Sequence, residues 1–505
     1  MIKYSGEQKE RESMFQQQMQ AALSHNEPAH KMYVFGDGWI FLRETQMRLH
    51  KIAEAGVQAW LKNAEDLYRS SQKTGCLLIG WFYLAILFCL SVGVLTYSFM
   101  MLMMLVFVAL FASILAIGAS VCLAAIVLLH FYSWLYAHIW HISYDCPHPC
   151  YRREPLPIFL CSQCPAEHRW LRPNIYGIWS HRCQCTTKLC TIEHFGRSKL
   201  IRICPNCRNP LNGDIGQGSN IHLPIIGGPS AGKTHYITAA LDALICNYTA
   251  MYNYRFSFID HRHELNFQAN VRQLAHGQSL AATPEITPPA YTLKMNVPDV
   301  PVPKIMYIYD AAGEAYNANE QTHLQTYYRY VHGLIFIIDP CAITPFRLKY
   351  EQQINAISSY LRPCASEIMQ VHDRMMLQLE KTRGLRKQRR YQIPIAVVVT
   401  KVDALGLEHE IGAEAARNLM HNDHSYMTEG EAIHKLVQDF LRGYGQSDLL
   451  RNLEYHFSTV RYFSCSSLGR LPVQTDSSNF IPMRVLDPLA WLLSQNGTIR
   501  QVHRT

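Results

Sequence analysis

The stretch that decides the fold is "IHLPIIGGPSAGKTHYITAAL", residues 221–241. It places an apolar run before the pattern Gly-x4-Gly-Lys-Thr, from Gly227 to Thr234, and a helix-forming run after it. A phosphate-binding loop requires this order of strand, glycine-containing turn and helix. Its glycines let backbone N–H groups turn inward around an anion, and the N-terminus of the following helix adds its dipole. The sequence therefore predicts a nucleotide-phosphate site between a buried strand and a helix.

Residue roles in this loop follow from its chemistry. Lys233 is expected to reach the β- and γ-phosphates, and Thr234 is expected to ligate Mg²⁺. The backbone that wraps the phosphates is predicted to comprise Gly227, Gly228, Pro229, Ser230, Ala231, Gly232, Lys233 and Thr234.

Two later stretches extend the site. "KIMYIYDAAGEAY" is an apolar strand that ends in Asp310, and Gly313 follows in the spacing DxxG. An acid at a strand end can hold Mg²⁺ through water, and the glycine N–H can sense the γ-phosphate. "IPIAVVVTKVDAL" is a second buried strand, followed by Thr400, Lys401 and Asp403 in the form TKxD. A carboxylate there accepts hydrogen bonds from guanine N1–H and the exocyclic amine, so the motif selects GTP over ATP.

A last strand, in "VRYFSCSSLGR", ends at Ser466 and Ser467, which are predicted to form a small loop over the guanine oxygen. In this order the motifs resemble those of the TRAFAC class of P-loop GTPases. More specifically, "PIIGGPSAGKT", "YDAAGEAY", "GLIFIIDP" and "VVVTKVDAL", with a preceding Cys-rich segment that contains "NIYGIW" and "CPNC", resemble the bacterial double-GTPase family. The resemblance covers the chain from Cys146 onward.

The resemblance implies a Ras-like α/β domain, a mostly parallel sheet flanked by helices that binds GTP or GDP with Mg²⁺. It also implies a role in bacterial conflict or defence systems, with a second GTPase-like protein as partner. Here the chain departs from the usual pattern, because Glu314 follows the DxxG glycine where small GTPases carry Gln. A carboxylate there can position water or can repel the γ-phosphate, so slow GTP hydrolysis is expected without a partner. The catalytic candidates are Lys233, Gly313, Glu314 and, ahead of Thr287 as the Mg²⁺-covering switch residue, Thr283.

An uncharged apolar segment precedes these motifs. No Asp, Glu, Lys or Arg occurs from Thr74 to Tyr144. One bilayer-spanning helix needs about 20 apolar residues, so the segment predicts a transmembrane hairpin of two spans with a turn near residues 96–100. Three short spans, or a buried helical pair in a soluble core, are the alternatives. Basic residues on both sides, Lys62, Arg69, Lys73, Arg152 and Arg153, place both ends in the cytoplasm by the positive-inside tendency.

Cysteines concentrate between the apolar segment and the phosphate loop. Close pairs of cysteines place two thiolates on one turn, and two such turns complete a tetrahedral zinc site. Two zinc ions are predicted, and disulfides are disfavoured in a reducing compartment; the pairing of the turns stays open. The predicted ligands are Cys146, Cys150, Cys161, Cys164, Cys183, Cys185, Cys204 and Cys207, with Cys190, His168, His181 and His194 in reserve.

The sequence thus divides into a cytosolic helical region (1–73), the transmembrane hairpin (74–144), the zinc-binding module (145–215) and the GTPase domain (216–505). We expect a multi-pass protein of the bacterial inner membrane that acts as a GTP-dependent switch, with the lipid bilayer and a protein partner or oligomer as its contacts. The net charge of +8 suits an anionic membrane face and is too dispersed to indicate nucleic acid. Two alternatives are a GTP-gated membrane pore, with Ser91, Ser113 and Ser120 along its path, and a zinc-ribbon scaffold with an inactive GTPase fold.

Overall fold

The computed structural model describes residues 27–71, 79–147, 153–154, 156–193, 196–276, 280, 290–310, 328–361, 364, 367–383, 390–469 and 481–498. The helices are α1 (Asp37–Ser71), α2 (Ile79–Ile139), α3 (Lys233–Tyr252), α4 (His261–Ala275), α5 (Thr344–Lys349), α6 (Glu351–Leu361), α7 (Ile368–Arg383), α8 (Glu408–Ile411), α9 (Ala413–Asn422), α10 (Glu429–Gly443), α11 (Ser447–His456) and α12 (Leu486–Gln495). Short 3₁₀ segments lie at Tyr33–Phe35, Arg197–Lys199, Tyr328–Tyr330 and Pro340–Ala342.

The strands are named in the same way. They are β1 (Ala29–His30), β2 (Tyr144–Asp145), β3 (Arg153–Glu154), β4 (Ile158–Leu160), β5 (Glu167–His168), β6 (Ser180–Cys183), β7 (Lys188–Cys190), β8 (Arg202–Ile203), β9 (Pro210–Leu211), β10 (Ser219–Gly227), β11 (Arg255–Phe258), β12 (Ala290–Asn296), β13 (Lys304–Asp310), β14 (Leu334–Ile338), β15 (Tyr391–Val399) and β16 (Phe457–Ser464).

The chain forms two compact units. One comprises the residues up to Tyr136 together with Ile158–Leu200, and the other comprises Ala137–Pro157 together with Ile201–Thr505. The second unit contains a seven-stranded sheet in the order β11-β12-β13-β10-β14-β15-β16. Strands β13, β10, β14, β15 and β16 are parallel, and β11 and β12 join antiparallel at one edge. The predicted α/β domain with a mostly parallel sheet is confirmed.

Helices cover both faces of this sheet, which explains why its central strands read as unbroken apolar runs. Every residue of β10 and of β14 is buried. Successive side chains of a strand point to opposite faces, so Ile225 packs in one core with Leu241 of α3 and Trp491 of α12. Its neighbour Ile226 packs in the other core, with the side chains of α7 and α10. The site at the end of β10 is therefore set on a rigid support.

The first unit contains α1 and most of α2, and here the prediction of a hairpin was wrong. Residues 96–100, where a turn was predicted, are helical, and α2 runs unbroken from Ile79 to Ile139. Residues 96–100 contain no proline or glycine, and the hydroxyl of Thr96 donates to Gly93 O at 3.0 Å within the helix. Uniform apolar composition sets no stopping point for a helix, so length alone misled the prediction.

Within the described residues, one helical stretch, Tyr83–Ile139, is long and apolar enough to cross a membrane, by length and composition only. At about 1.5 Å per residue, α2 is roughly 90 Å long, some three times the thickness of a bilayer core of about 30 Å. Ser91, Ser113 and Ser120, candidates for an ion path, donate to the helix carbonyls of Phe88, Ala109 and Ala116. The predicted multi-pass topology is not supported.

Helix α1, which contains the amphipathic stretch 49–67, runs antiparallel to α2. The Trp60 indole N–H donates to Cys89 O at 3.0 Å. A Cβ atom at Gly93 would lie 2.2 Å from the Trp60 ring, so only glycine admits the indole there. Farther along, the Phe41 and Phe111 rings meet edge to face with 5.9 Å between centroids. Aromatic side chains thus join the two helices at separate points along their length.

In the second unit, the short β2–β3 hairpin is fixed to the start of β10 through Asp145. The buried Asp145 carboxylate accepts from His222 Nε2 at 2.8 Å, Asn220 Nδ2 at 2.8 Å and Arg153 Nε at 2.7 Å. Burial raises the pKa of Asp145, but the bonds from His222 and the charge of Arg153 outweigh it and hold that pKa well below its usual range. Arg153, one of the basic residues that flank the apolar segment in the sequence, is therefore part of an ion pair.

Candidate nucleotide-binding site

The predicted nucleotide motifs meet at one edge of the sheet. Parallel strands bring their carboxyl ends to a common edge, where α/β proteins bind ligands. Ile225 of β10 is paired with Asp310, the last residue of β13, and Gly227 is paired with Ile337 of β14. On the other side, β14 is followed by β15 and β16, which end before the TKxD and Ser466 loops. The sheet therefore gathers motifs that are far apart in the chain.

The phosphate loop, Gly227–Thr234, has the backbone that an anion cradle needs. Ser230 and Gly232 have φ angles of 61° and 86°, in the left-handed region, which turns successive N–H groups inward. Gly227 is required for space, since a Cβ atom there would lie 2.9 Å from Ile337 O. Helix α3 begins at Lys233, so its N-terminus faces the loop. The arrangement suits the phosphates of a nucleotide.

Three polar side chains lie around the phosphate loop. The buried Lys233 Nζ donates to Gly227 O and Gly228 O, each at 2.9 Å. The Thr234 hydroxyl donates to Asp310 Oδ2 at 2.8 Å. Two oxygen ligands on adjacent positions of a Mg²⁺ ion with bonds of about 2.1 Å lie roughly 3 Å apart. Thr234 and Asp310 therefore fit a shared Mg²⁺ site, directly or through its water.

The TKxD segment is docked on the phosphate loop. Thr400 Oγ1 donates to Ala231 O at 3.0 Å, and Lys401 Nζ donates to Ser230 O at 3.0 Å. Lys401 has a φ of 59°, an uncommon left-handed conformation for a residue other than glycine. Both contacts join the segment that would read the base to the loop that would hold the phosphates.

Asp403, the predicted reader of guanine, lies half-buried beside the last loop. Burial raises the pKa of Asp403, and a hydrogen bond from Ser466 acts in the opposite direction. Ser466 Oγ also accepts from Gly469 N at 2.8 Å, which shapes the loop that contains Ser467. The structure thus brings Asp403 and Ser466 into contact. The catalytic candidates Gly313, Glu314 and Thr283, and the alternative Thr287, lie outside the described residues.

Asp339 is a residue of this edge that sequence analysis missed. It directly follows β14, its side chain is fully buried, and Oδ2 accepts from Lys401 Nζ at 2.7 Å. The signal was an acid right after the apolar run "LIFII". Sequence analysis used that stretch only as one of the motifs of the family resemblance, because nothing local reveals a lysine from the loop after the next strand.

Four predicted metal ligands in the first unit form a cluster. Cys161 and Cys164 follow β4, whereas Cys183 ends β6 and Cys185 lies in the turn to β7. Their four Sγ atoms all lie within 4.8 Å of one another, with Cys161–Cys185 and Cys164–Cys183 at 3.6 Å. Thiolates about 2.3 Å from a tetrahedral zinc ion are about 3.8 Å apart. The cluster fits one Zn²⁺.

A second cluster lies in the other unit. Cys146, Cys204 and Cys207 have Sγ atoms within 4.8 Å of one another, and Cys146 and Cys207 are 3.7 Å apart. Arg208 N donates to Cys204 O at 3.0 Å, and Arg208 has a φ of 59°, which closes a tight turn around the two thiols. Cys150, predicted with this group, lies outside the described residues. Three thiolates at this spacing also fit Zn²⁺.

The reserve ligands have other positions. His168 faces Glu27, with 3.3 Å between Nδ1 and Oε2. His181 Nε2 is 3.0 Å from Arg172 O. Cys190 is in neither cluster, and His194 lies outside the described residues. The clusters are therefore all-cysteine among the described residues.

Comparison with known proteins agrees with this geometry. Residues 221–465 match the family model described as Double-GTPase 2, which confirms the resemblance noted from the motifs. No curated protein matches the chain. Among solved structures, the Arl6 BBS3 small GTPase from Trypanosoma brucei with bound GppNp is 16% identical, with a TM-score of 0.24, over 56% of this chain and 100% of that one.

Two further solved structures are similar over part of their length. The GTPase-like domain of S. cerevisiae Ski7 bound to GTP is 11% identical, with a TM-score of 0.25, over 56% of this chain and 51% of that chain. Sup35 complexed with GDP is 14% identical, with a TM-score of 0.20, over 49% of this chain and 37% of that one. Likenesses this distant indicate neither a substrate nor a partner.

Proposed function

We propose, from the premise that this chain is a double-GTPase, P-loop GTPase-like protein, that it binds GTP with Mg²⁺ and hydrolyses it slowly. The observation that carries the proposal is the contact between the two halves of the site. Thr400 and Lys401 of TKxD bond to the carbonyls of Ala231 and Ser230 in the phosphate loop. A nucleotide whose phosphates lie in the loop would therefore present its base to Asp403.

Each residue of the proposed site would have a separate role in phosphoryl transfer. Lys233 would leave the loop carbonyls and donate to the β- and γ-phosphates, and inward N–H groups would hold the remaining oxygens. Mg²⁺, held by Thr234 and Asp310, would neutralise charge on the phosphates. Glu314 would orient the attacking water, and its negative charge beside the γ-phosphate is the reason to expect slow turnover. A partner or a second copy would complete the site.

The first test is nucleotide binding by the full chain. With Mg²⁺ present, the wild type should bind GTP in preference to ATP and release phosphate slowly. Lys233→Ala removes a buried cation that meets the phosphates, which typically costs 2 kcal/mol or more, so GTP affinity should fall by at least about 30-fold. Isothermal titration and a phosphate-release assay give both quantities.

A matched control is Lys435→Ala, which removes an exposed lysine paired with Asp439 one turn along α10. It should bind GTP like the wild type. Equal affinity for ATP and GTP, or no binding, would overturn the proposed nucleotide. If GTP stays uncleaved with every partner present, the proposed hydrolysis is refuted and only the proposed binding remains.

We also propose that each cysteine cluster holds a structural Zn²⁺. The spacing of the sulfur atoms supports this, as does the small size of the module around Cys161–Cys185, which offers little core of its own. The first ion would fix the β4–β5 and β6–β7 turns together. The second would fix Cys146, next to Asp145, to the turn at Cys204 and Cys207.

For location, we propose that α2 attaches the protein to a lipid bilayer, with the nucleotide site in the cytoplasm. Large apolar side chains are exposed along α2, among them Leu95 at 70% and Leu105 at 67%. An exposed apolar surface of this extent marks a membrane or protein contact. Because α1 places charged residues such as Arg48 and Lys62 beside α2, only part of α2 would lie in the hydrocarbon.

Membrane attachment should depend on this apolar surface. Ile117→Arg and Leu128→Arg together place two charges on the part of α2 beyond its contact with α1, at sites that are 65% and 67% exposed. Each charge costs about 3 kcal/mol at a bilayer centre. We expect the double variant to shift from the membrane fraction to the supernatant after alkaline extraction. Met427→Arg, at an 84% exposed site in the GTPase unit, is the control and should stay with the membrane. Retention of the double variant, or a soluble wild type, would contradict the proposal.

A protein partner, a second GTPase in particular, and a role in bacterial defence follow from the family resemblance alone. They stay predictions. Co-purification of the full chain with products of neighbouring genes, in GTP and in GDP, would test the partner; no nucleotide-dependent association would count against a switch.

A further inference from the structure

Asp339 occupies a position where its two carboxylate oxygens have separate partners. Oδ1 accepts from Cys341 N at 2.9 Å and so caps the 3₁₀ segment Pro340–Ala342. Oδ2 accepts from Cys364 N at 2.9 Å and from Lys401 Nζ at 2.7 Å. A cap of the 3₁₀ segment alone would need only one oxygen. The second oxygen is committed to Lys401 and to the segment between α6 and α7.

Lys401 in turn depends on this carboxylate. Its side chain is 17% exposed, and its ammonium bonds to oxygens of two different segments, Asp339 Oδ2 and Ser230 O. A largely buried ammonium needs a compensating charge, and Asp339 provides it. The contact also holds Lys401 in its left-handed backbone conformation, which a residue with a side chain adopts only under constraint.

The position of Lys401 also affects Asp403, the residue predicted to bind guanine. Ala404 N donates to Lys401 O at 3.0 Å, which closes a turn around Val402 and Asp403. The direction of the Asp403 carboxylate is therefore set by where Lys401 is held. A movement of Lys401 would turn Asp403 away from the N1–H and exocyclic amine of guanine.

We propose that Asp339 is a positioning residue for base specificity, acting through Lys401 on Asp403. The inference rests on the proposed GTP binding and deepens it. Asp339 does not touch the base; its buried charge fixes the loop that does. The same carboxylate also accepts from Cys364 N. It therefore links the segment between α6 and α7 to the TKxD loop that would bind the base.

Asp339→Asn tests this with minimal change in shape. The amide keeps one oxygen for the cap but presents an NH₂ group to the other donors, so the contact with Lys401 becomes donor against donor. The readout is the ratio of affinities for GTP and for inosine triphosphate, which lacks the exocyclic amine. We expect GTP affinity to fall by about 10-fold or more, with a smaller fall for inosine triphosphate, because only guanine loses the second hydrogen bond.

The control is Asp260→Asn, another capping aspartate, which accepts from Arg262 N at the start of α4. It should leave the ratio unchanged. A merely structural role for Asp339 predicts equal losses for both nucleotides, and that result, like unchanged affinities, would overturn the inference. A wild type that fails to prefer GTP over ATP would instead refute the proposed function itself.

If Asp339→Asn does not fold, Lys401→Gln approaches the pair from the other side and leaves the bonds to Cys341 and Cys364 in place. It should lower the same ratio. Where the double variant folds, adding Asp339→Asn to Lys401→Gln should lower the ratio no further, since both changes break one contact. Independent, additive losses, or an unchanged ratio in Lys401→Gln, would show that Asp339 does not act through Lys401.

Discussion

Asp403→Asn is expected to change the preferred base from guanine to xanthine. Asp403 would accept from both N1–H and the exocyclic amine of guanine, whereas an asparagine accepts from N1–H but points its NH₂ at the amine. Xanthine has a carbonyl oxygen in place of that amine, so it receives the NH₂. A site built for one hydrogen-bond pattern can discriminate against a mismatched ligand by about 10⁴-fold or more. We therefore expect GTP affinity to fall by at least about 100-fold.

The measurement is competition of GTP and xanthosine triphosphate for the full chain with Mg²⁺. Asp373→Asn is the control, since that side chain is 71% exposed and is paired with its neighbour His372 on α7. It should keep the preference for GTP. If Asp403→Asn keeps its affinity for GTP, TKxD does not read the base, and the nucleotide would have to be selected elsewhere.

The second large effect is expected at the four-cysteine cluster. Cys161→Ser removes a thiolate whose sulfur lies 3.6 Å from Cys185 Sγ. Structural zinc contributes about 10–16 kcal/mol of apparent free energy in small zinc-binding peptides. We expect the variant to lose one zinc equivalent and the module to unfold locally, which makes it sensitive to protease.

Metal analysis of the purified full chain, followed by limited proteolysis, gives both results. Cys190→Ser is the matched control, because Cys190 lies in the same module but in neither cluster. It should retain all bound zinc. A wild type without zinc, or a Cys161→Ser variant with unchanged zinc content and protease resistance, would argue that the cluster is a set of reduced thiols.

Sequence reasoning could place the nucleotide motifs together because their evidence is local. Lys233, Thr234 and Asp310 each lie next to a strongly apolar strand, and the order of motifs implied a common edge. The pairing of cysteine turns was not local. The pairs have similar spacing, and although the β4–β5 and β6–β7 pairings form the two turns, tertiary packing brings their cysteines together. Asp339 was missed for the same reason, since its partner Lys401 lies in the loop after the neighbouring strand β15.

The apolar segment shows the opposite limit. Its composition correctly predicted a helix that is long and apolar enough to cross a membrane. Hydropathy, however, carries no information on where a helix ends. Gly93 does not end the helix; it admits the Trp60 ring of a neighbouring helix. A helix boundary needs a cap or a proline; residues 96–100 contain no proline, and the Thr96 hydroxyl bonds to Gly93 O inside the helix instead of capping a new one.

The strand order has a consequence for how the protein is made. Strand β10 leaves the ribosome first among the parallel strands, yet it pairs with β13 and β14, which are synthesised much later. Until those strands are made, β10 and its apolar side chains stay unpaired. Contacts between residues so distant in the chain form slowly, and the exposed apolar surface favours aggregation of the nascent chain. Since the complete site exists only after β16 has joined, a bound nucleotide would favour the finished fold over partial ones. Cellular GTP would then act as a folding ligand, and nucleotide-site variants should lose yield as well as affinity.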